Sequence, residues 1–235
     1  MSDSNIEFLD SEDTEIGTLI LRRREFLSKP GVVVTEITLD HQFLMSSYIT
    51  SSERALASRA LEMHAGDALQ VLVGGLGLGY TVWEALQSPR VARAEVVEFV
   101  PAMTRWMKEG LLPLSAALGA DSRMEVVDGD VFQRLTRPPE AHARKFDLIL
   151  IDVDHSPDER LGEARYSGFY GTDGLRQARR HLAPGGVLGV WSYAESSPFV
   201  DALQTVFRVA RAEPVTFRND LIDETTTDWL FFAHD

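Results

Sequence analysis

One stretch constrains the fold of this chain more than any other. Residues 71–86 read VLVGGLGLGYTVWEAL: an apolar run, a turn dense in glycine (Gly74, Gly75, Gly77, Gly79), then a helical pattern. Glycines at such a corner allow positive φ and let the backbone come close to a ligand. The helix that follows presents its first N–H groups over the turn. The rest of the chain agrees with this opening. Short apolar strands at 69–73, 94–99, 123–127, 146–151 and 186–191 alternate with helical stretches near 79–88, 101–109, 111–118, 131–136, 172–182 and 198–208. That alternation predicts an α/β, doubly wound, mostly parallel sheet covered by helices on both faces. Two closing runs, 209–217 and 228–233, have no helix between them. They predict a hairpin that gives the sheet an antiparallel edge strand and brings it to seven strands.

The N-terminal part reads differently. Residues 1–15 carry six acids and few apolar side chains, and are expected as a disordered, solvated tail. Residues 16–24 (IGTLILRRR) and 31–38 (GVVVTEIT) are β-branched runs joined through Ser28-Lys29-Pro30-Gly31, a hairpin signal, and 42–45 adds a short strand. A small β subdomain over 16–50 is therefore expected, with the larger domain over 51–235. The latter begins with a helix at Ser51-Ser52-Glu53 that ends by Gly66. The hairpin's apolar residues (Ile20, Val32, Val34, Ile37) need a cover, supplied by the larger domain or by a second copy in a homodimer.

Composition excludes several classes. The 235 residues hold no Cys, which removes disulfide scaffolds, thiolate metal sites and cysteine nucleophiles; no metal site is expected. The net charge of −13 argues against a nucleic-acid partner, because phosphate binding needs clustered Lys and Arg. No window approaches the roughly 18 apolar residues of a membrane span. The first residues lack the cationic start and apolar core of a secretory signal. A cytoplasmic protein without a membrane partner is the expectation.

Ligands of open α/β sheets lie beyond the carboxyl ends of the strands, and polar residues collect there. Glu98 ends the strand AEVVEF, about twenty residues past the glycines, where an acid accepts hydrogen bonds from a ribose diol. Asp130, in VVDGDVF, either caps the next helix or reads an adenine amino group, with Asp128 as the competing choice. The fourth strand, FDLILIDVDHSPD, delivers Asp152, Asp154 and His155 to the same edge. Burying such charges costs stability, so they read either as site residues or as a polar loop leading into a helix.

At these residues the chain resembles a known group. The series VLVGGLGLG, VVEFVPAM, GDVF, FDLILIDVD and LAPGGVLGVW resembles the class I S-adenosylmethionine-dependent transferases, with their Rossmann-like sheet. More narrowly, it is similar to the spermidine synthase-like family. The N-terminal hairpin followed by LDHQF resembles that family's N-terminal β domain. The resemblance implies S-adenosylmethionine or its decarboxylated form as cofactor. Gly74, Gly75, Gly77 and Gly79 would shape its seat, Glu98 would hold the ribose, Asp130 would read the adenine, and Asp152 would close the site below the sulfonium. Asp152, Asp154 or His155 would be catalytic, and Glu53, Tyr170 and Trp191 would line an acceptor pocket for a small molecule, an amine or another polar group.

The chain also departs from the family pattern. Leu78 takes the place of the acid in the glycine loop. Ser51 and Ser52 stand for a Tyr-His pair. His155 stands for the catalytic Asp, or Asp154 if the loop is shifted by one. These departures favour methylation of a small amine or other polar acceptor. An aminopropyltransferase of polyamine biosynthesis, using the decarboxylated cofactor and a diamine such as putrescine, is the alternative. A non-catalytic binding protein of the same fold is a further one. An NAD-dependent dehydrogenase suits the glycine turn and Glu98 equally well, but not the acids at the other strand ends.

Overall fold

The computed structural model describes residues 6–26, 29–154, 156–158, 167–219 and 223–235. Four strands open the chain: β1 (Ile6–Thr14), β2 (Gly17–Glu25), β3 (Val33–Leu39) and β4 (Gln42–Ser46). They form one antiparallel sheet in the order β1-β2-β3-β4. After them come α1 (Ser51–Met63), β5 (Leu69–Gly74), α2 (Tyr80–Gln87), β6 (Val91–Glu98), α3 (Pro101–Lys108), α4 (Ser115–Ala120), β7 (Met124–Asp128), α5 (Val131–Thr136) and β8 (Phe146–Ile151). Then follow α6 (Ser167–Tyr170), α7 (Thr172–His181), β9 (Leu182–Ser192), α8 (Ser197–Val206), β10 (Val209–Asn219) and β11 (Glu224–His234).

The second sheet has seven strands in the order β10-β11-β9-β8-β5-β6-β7. From β9 through β7 every pairing is parallel. The strand that runs against the others is β11, one place in from the edge rather than at it. Burial explains its position. The run Leu230, Phe231, Phe232 and Ala233 is fully buried, so β11 takes an interior place, whereas β10 alternates toward solvent. Successive residues of β5 and β8 point into two separate cores, one on each face: Val71, Val73, Leu148 and Leu150 into one, Leu72, Ile149 and Ile151 into the other. The chain crosses over at β5, so the glycine turn sits where strand order reverses and helices lie on opposite faces.

The N-terminal segment differs from the sequence expectation. Residues 6–14 are not a solvated tail but the first strand of the N-terminal sheet. Their acids have partners. Asp10 accepts from the Trp106 indole N–H at 2.6 Å and lies 2.8 Å from Arg105, which also pairs with Glu12. Leu9 packs on the core. As for cover, the larger domain is one of the two expected partners and meets the hairpin at Leu19, Leu21 and Ile37, which share one buried cluster with Trp106, Leu112 and Leu78, while Val32 is exposed.

Candidate active site

The parallel strands bring their carboxyl ends to one edge, and the glycine turn leaves β5 there. Gly75, Gly77 and Gly79 all have positive φ. At Gly75 the constraint is tightest: a Cβ would lie 2.2 Å from the Asp152 carbonyl oxygen. Only glycine fits, because β8 delivers Asp152 against the turn, with the Asp152 N–H donating to the Gly74 carbonyl at 2.8 Å. Glu98, at the end of β6, braces the same turn. Its carboxylate accepts from the N–H groups of Leu76 at 2.6 Å and Val100 at 2.7 Å, and burial holds its pKa above the ordinary value. The backbone N–H groups of Phe99 and Gly77 also bear on the same carboxylate.

A cavity of about 80 Å³ opens beside the turn. For scale, an engineered cavity of about 150 Å³ holds benzene, so this one suits a short alkyl amine. Leu76, Gly77, Leu78, Gly79 and Tyr80 form one wall, and Leu44 and Met45 of β4 form a second. Glu53, Asp152, Asp154 and Trp191 complete the lining, with no Lys or Arg among the described residues there. A Cβ on Gly77 would meet the Met45 sulfur at 3.3 Å, so the N-terminal sheet overlies the glycine turn.

The acids of this cavity influence one another. The Thr81 hydroxyl donates to Asp152. Burial, and then the negative charges of Asp154 and Asp228, raise Asp152 to a pKa of about 6. Burial, followed by Asp152 and Asp228, raises Glu53 to about 8. Asp228, on β11, is buried, which pushes its carboxyl upward against the hydrogen bond from Ser52. The Ser52 hydroxyl lies 2.6 Å from Asp228 and 3.2 Å from Glu53. Among the described residues no salt bridge joins Glu53, Asp152 or Asp228 to a Lys or Arg. Two unscreened like charges 4 Å apart repel by about 4 kcal/mol at an effective dielectric of 20, so the cluster holds protons at neutral pH. Perturbed groups of this kind gather at functional sites.

The residues expected from sequence divide as follows. Glu53, Gly77, Gly79, Asp152, Asp154 and Trp191 come together around the cavity. Gly74, Gly75 and Glu98 lie just behind it, shaping and bracing the turn. Asp130 is the N-cap of α5, its Oδ1 accepting from Phe132 N at 2.9 Å and Gln133 N at 3.0 Å, while Asp128 is exposed. Tyr170 is not brought to the site. It is buried among Phe132, Phe169 and Phe199 in the core on the other face of the sheet. In sequence it passes for a pocket aromatic, because α6 is only four residues long and leaves no periodicity to read. His155 lies outside the described residues. Asp228 and the bridging role of Ser52 escape sequence reasoning, being 176 positions apart and joined only by the fold.

No model of a known protein family matches the chain. It is 34% identical over 128 residues, 53% of its length, to polyamine aminopropyltransferase 2 of Streptomyces coelicolor. It is 32% identical over 149 residues, 63% of its length, to polyamine aminopropyltransferase 1 of the same organism. These matches cover 22% and 26% of the relatives, so the chain spans about a quarter of the length of the curated proteins it matches. Among solved structures, it aligns with a spermidine synthase in complex with the transition-state analogue AdoDATO at TM-score 0.70 and 17% identity, covering 96% of this chain and 71% of that one. The spermidine synthase of Thermotoga maritima aligns at 0.69 and 16%, with the same coverage. Human methyltransferase-like protein 13 in complex with SAH aligns at 0.53 and 19%, covering 79% of this chain and 80% of that one. The chain has the spermidine synthase-like class I fold.

Proposed function

We propose that this chain, with its spermidine synthase-like fold, is the transfer unit of an aminopropyltransferase-type enzyme. It would join the aminopropyl group of decarboxylated S-adenosylmethionine to a small amine. One observation carries this reading: the cavity at the strand ends is lined by Glu53, Asp152 and Asp154, with no Lys or Arg among the described lining residues. Such a cavity attracts ammonium groups and repels carboxylates. A cofactor that kept its carboxylate would add a like charge, worth a few kcal/mol against binding. Methyl transfer from the carboxylated form therefore fits this lining less well, and the curated relatives are named as polyamine aminopropyltransferases.

The residues present fit the cofactor. Gly77 and Gly79 would border its arm, Glu98 would face the ribose hydroxyls, and Asp130 stands at the next strand end for the adenine. When bound, the sulfonium supplies a carbon already activated toward a nitrogen nucleophile. The protein's part is to draw in the acceptor ammonium, strip one proton from it and hold the freed amine in line. Asp152 and Asp154 attract the cation. The Trp191 ring adds a face for an ammonium. Glu53 supplies a carboxyl whose pKa of about 8 suits proton exchange near neutral pH.

The test is turnover. The protein is incubated with each cofactor form and a panel of mono- and diamines, and the products are weighed by mass spectrometry. An aminopropylated amine from the decarboxylated form alone is expected. A methylated amine from the carboxylated form would overturn the reading in favour of a methyltransferase. No product with any pair would leave a binding protein of the same fold.

A further inference from the structure

The acids of the cavity are not independent. Ser52 has one hydroxyl hydrogen and two carboxyl neighbours. At 2.6 Å the hydrogen belongs to the contact with Asp228. Across the 3.2 Å contact the Ser52 oxygen accepts from Glu53 while Glu53 is protonated, and the hydroxyl turns to donate to Glu53 once it ionises. The three groups form a directed chain: Glu53 at the cavity wall, Ser52 behind it in the first turn of α1, and Asp228 buried on β11.

We infer that Glu53 is the catalytic base of the transfer and that Ser52 and Asp228 position and share its proton. The inference rests on the function proposed above. The acceptor enters as R–NH3+. With the chain's proton passed from Glu53 through Ser52 to Asp228, the Glu53 carboxylate faces the ammonium and takes one of its protons, leaving R–NH2. The nitrogen lone pair forms the new N–C bond as the C–S bond breaks, and that bond's electron pair stays on sulfur, which becomes neutral. The product is a secondary ammonium; the proton taken by Glu53 leaves to solvent as the product departs.

The surroundings of Glu53 suit this role. Asp152 and Asp154 face it from the end of β8, and Asp228 from β11, all acidic. From α2 comes Tyr80, whose hydroxyl burial holds above its ordinary pKa. The neighbouring cation, Arg54, is engaged with Glu84 at 2.9 Å and with the Tyr80 ring. Burial and these like charges keep one proton on the chain at neutral pH. Asp228 is the positioning residue: where it sits, a carboxylate draws the hydroxyl hydrogen of Ser52 away from Glu53.

Two measurements decide the inference. The first needs no ligand: carboxyl carbon NMR of the whole protein, wild type against Ser52→Ala and Asp228→Asn, across pH 5 to 10. Expected are a Glu53 midpoint near 8, an inflection of Asp228 that follows the Glu53 titration, a downward move of the Glu53 midpoint in Asp228→Asn, which removes a like charge, and an upward move in Ser52→Ala, which removes a donor to the ionised carboxylate. A Glu53 midpoint that does not move in Ser52→Ala would mean that the hydroxyl is not coupled to Glu53, and would overturn the chain. So would Glu53 and Asp228 titrating separately. The second is kinetic. Glu53→Gln should lower kcat about 100-fold, as for loss of a general base. Ser52→Ala should lower it about 10-fold, with the amine KM within twofold and the acid limb of the pH profile displaced, and Ser52→Thr should restore both. Normal kcat in Ser52→Ala overturns the relay while leaving aminopropyl transfer standing. A wild type with no turnover overturns the transfer, while the NMR titration still decides the proton chain.

Discussion

Two groups of acids in this molecule behave in opposite ways. In the N-terminal sheet Glu36 and Asp10 each have a cation or an N–H donor. Glu36, almost fully buried, lies 3.0 Å from Arg22 and 2.7 Å from Arg24, and Asp10 is held below its ordinary pKa by the Trp106 N–H and Arg105. At the strand ends, Glu53, Asp152 and Asp228 have hydroxyls and one another, and their pKa values are raised. The first arrangement satisfies its acids and, through Asp10, fastens the sheet to α3. The second disfavours ionised acids and leaves a negative deficit that an incoming cation relieves. Acids paired within the fold hold it together, while acids left without a cation among the described residues wait for a ligand.

This contrast is open to experiment. The largest effect expected is on activity: Asp152→Asn should reduce kcat/KM for the amine by about 100-fold or more while retaining the fold, measured by initial rates and circular dichroism. A stability test separates the two groups by sign. The Glu53 carboxyl is raised from 4.5 to about 8 on folding, so its contribution is complete below 4.5 and is lost as pH rises through 8. Glu53→Gln should therefore melt higher than wild type at pH 9, by about 5 °C or more, and match it near pH 5. In the other group the sign reverses. Glu36→Gln leaves Arg22 and Arg24 without their buried partner and should cost about 2–3 kcal/mol in denaturant unfolding, with kcat unchanged. The smallest effect is at Asp10. Its lowered pKa gives stability that is present above the ordinary carboxylate value and fades as pH falls through the folded one. Asp10→Asn should cost about 1 kcal/mol at pH 7 and less at pH 3, by the same melts.

Much of this site is legible in the order of residues along the chain. The glycine turn, Glu98 and the Asp152–Asp154 pair follow from strand–turn–helix order alone, because a parallel sheet collects its carboxyl ends at one edge, and Asp130 follows as the cap of α5. Glu53 follows from its place at the start of α1. What fails to show depends on distant pairing. Asp228 sits in TTTDWLFF, where an acid before an apolar run reads as an ordinary strand-end polar residue; only the insertion of β11 beside β9 sets it behind Trp191 and Ser52. The acids of 6–14 read as solvated because their partners lie elsewhere. The signal is the basic run Arg22-Arg23-Arg24, which pairs across the turn with Phe8, Glu7 and Ile6. Tyr170 misleads because an aromatic near a strand end has the same appearance in a core as in a pocket.

The most direct measurement is calorimetric titration of the protein with 1,4-diaminobutane at pH 7 in two buffers of different ionisation enthalpy. Because a cation favours the ionised acids, binding should expel about one proton per diamine, and affinity should rise with pH between about 6 and 8. Binding with no proton exchange and no pH dependence, or no binding at all, would contradict an acceptor site built from unpaired carboxylates.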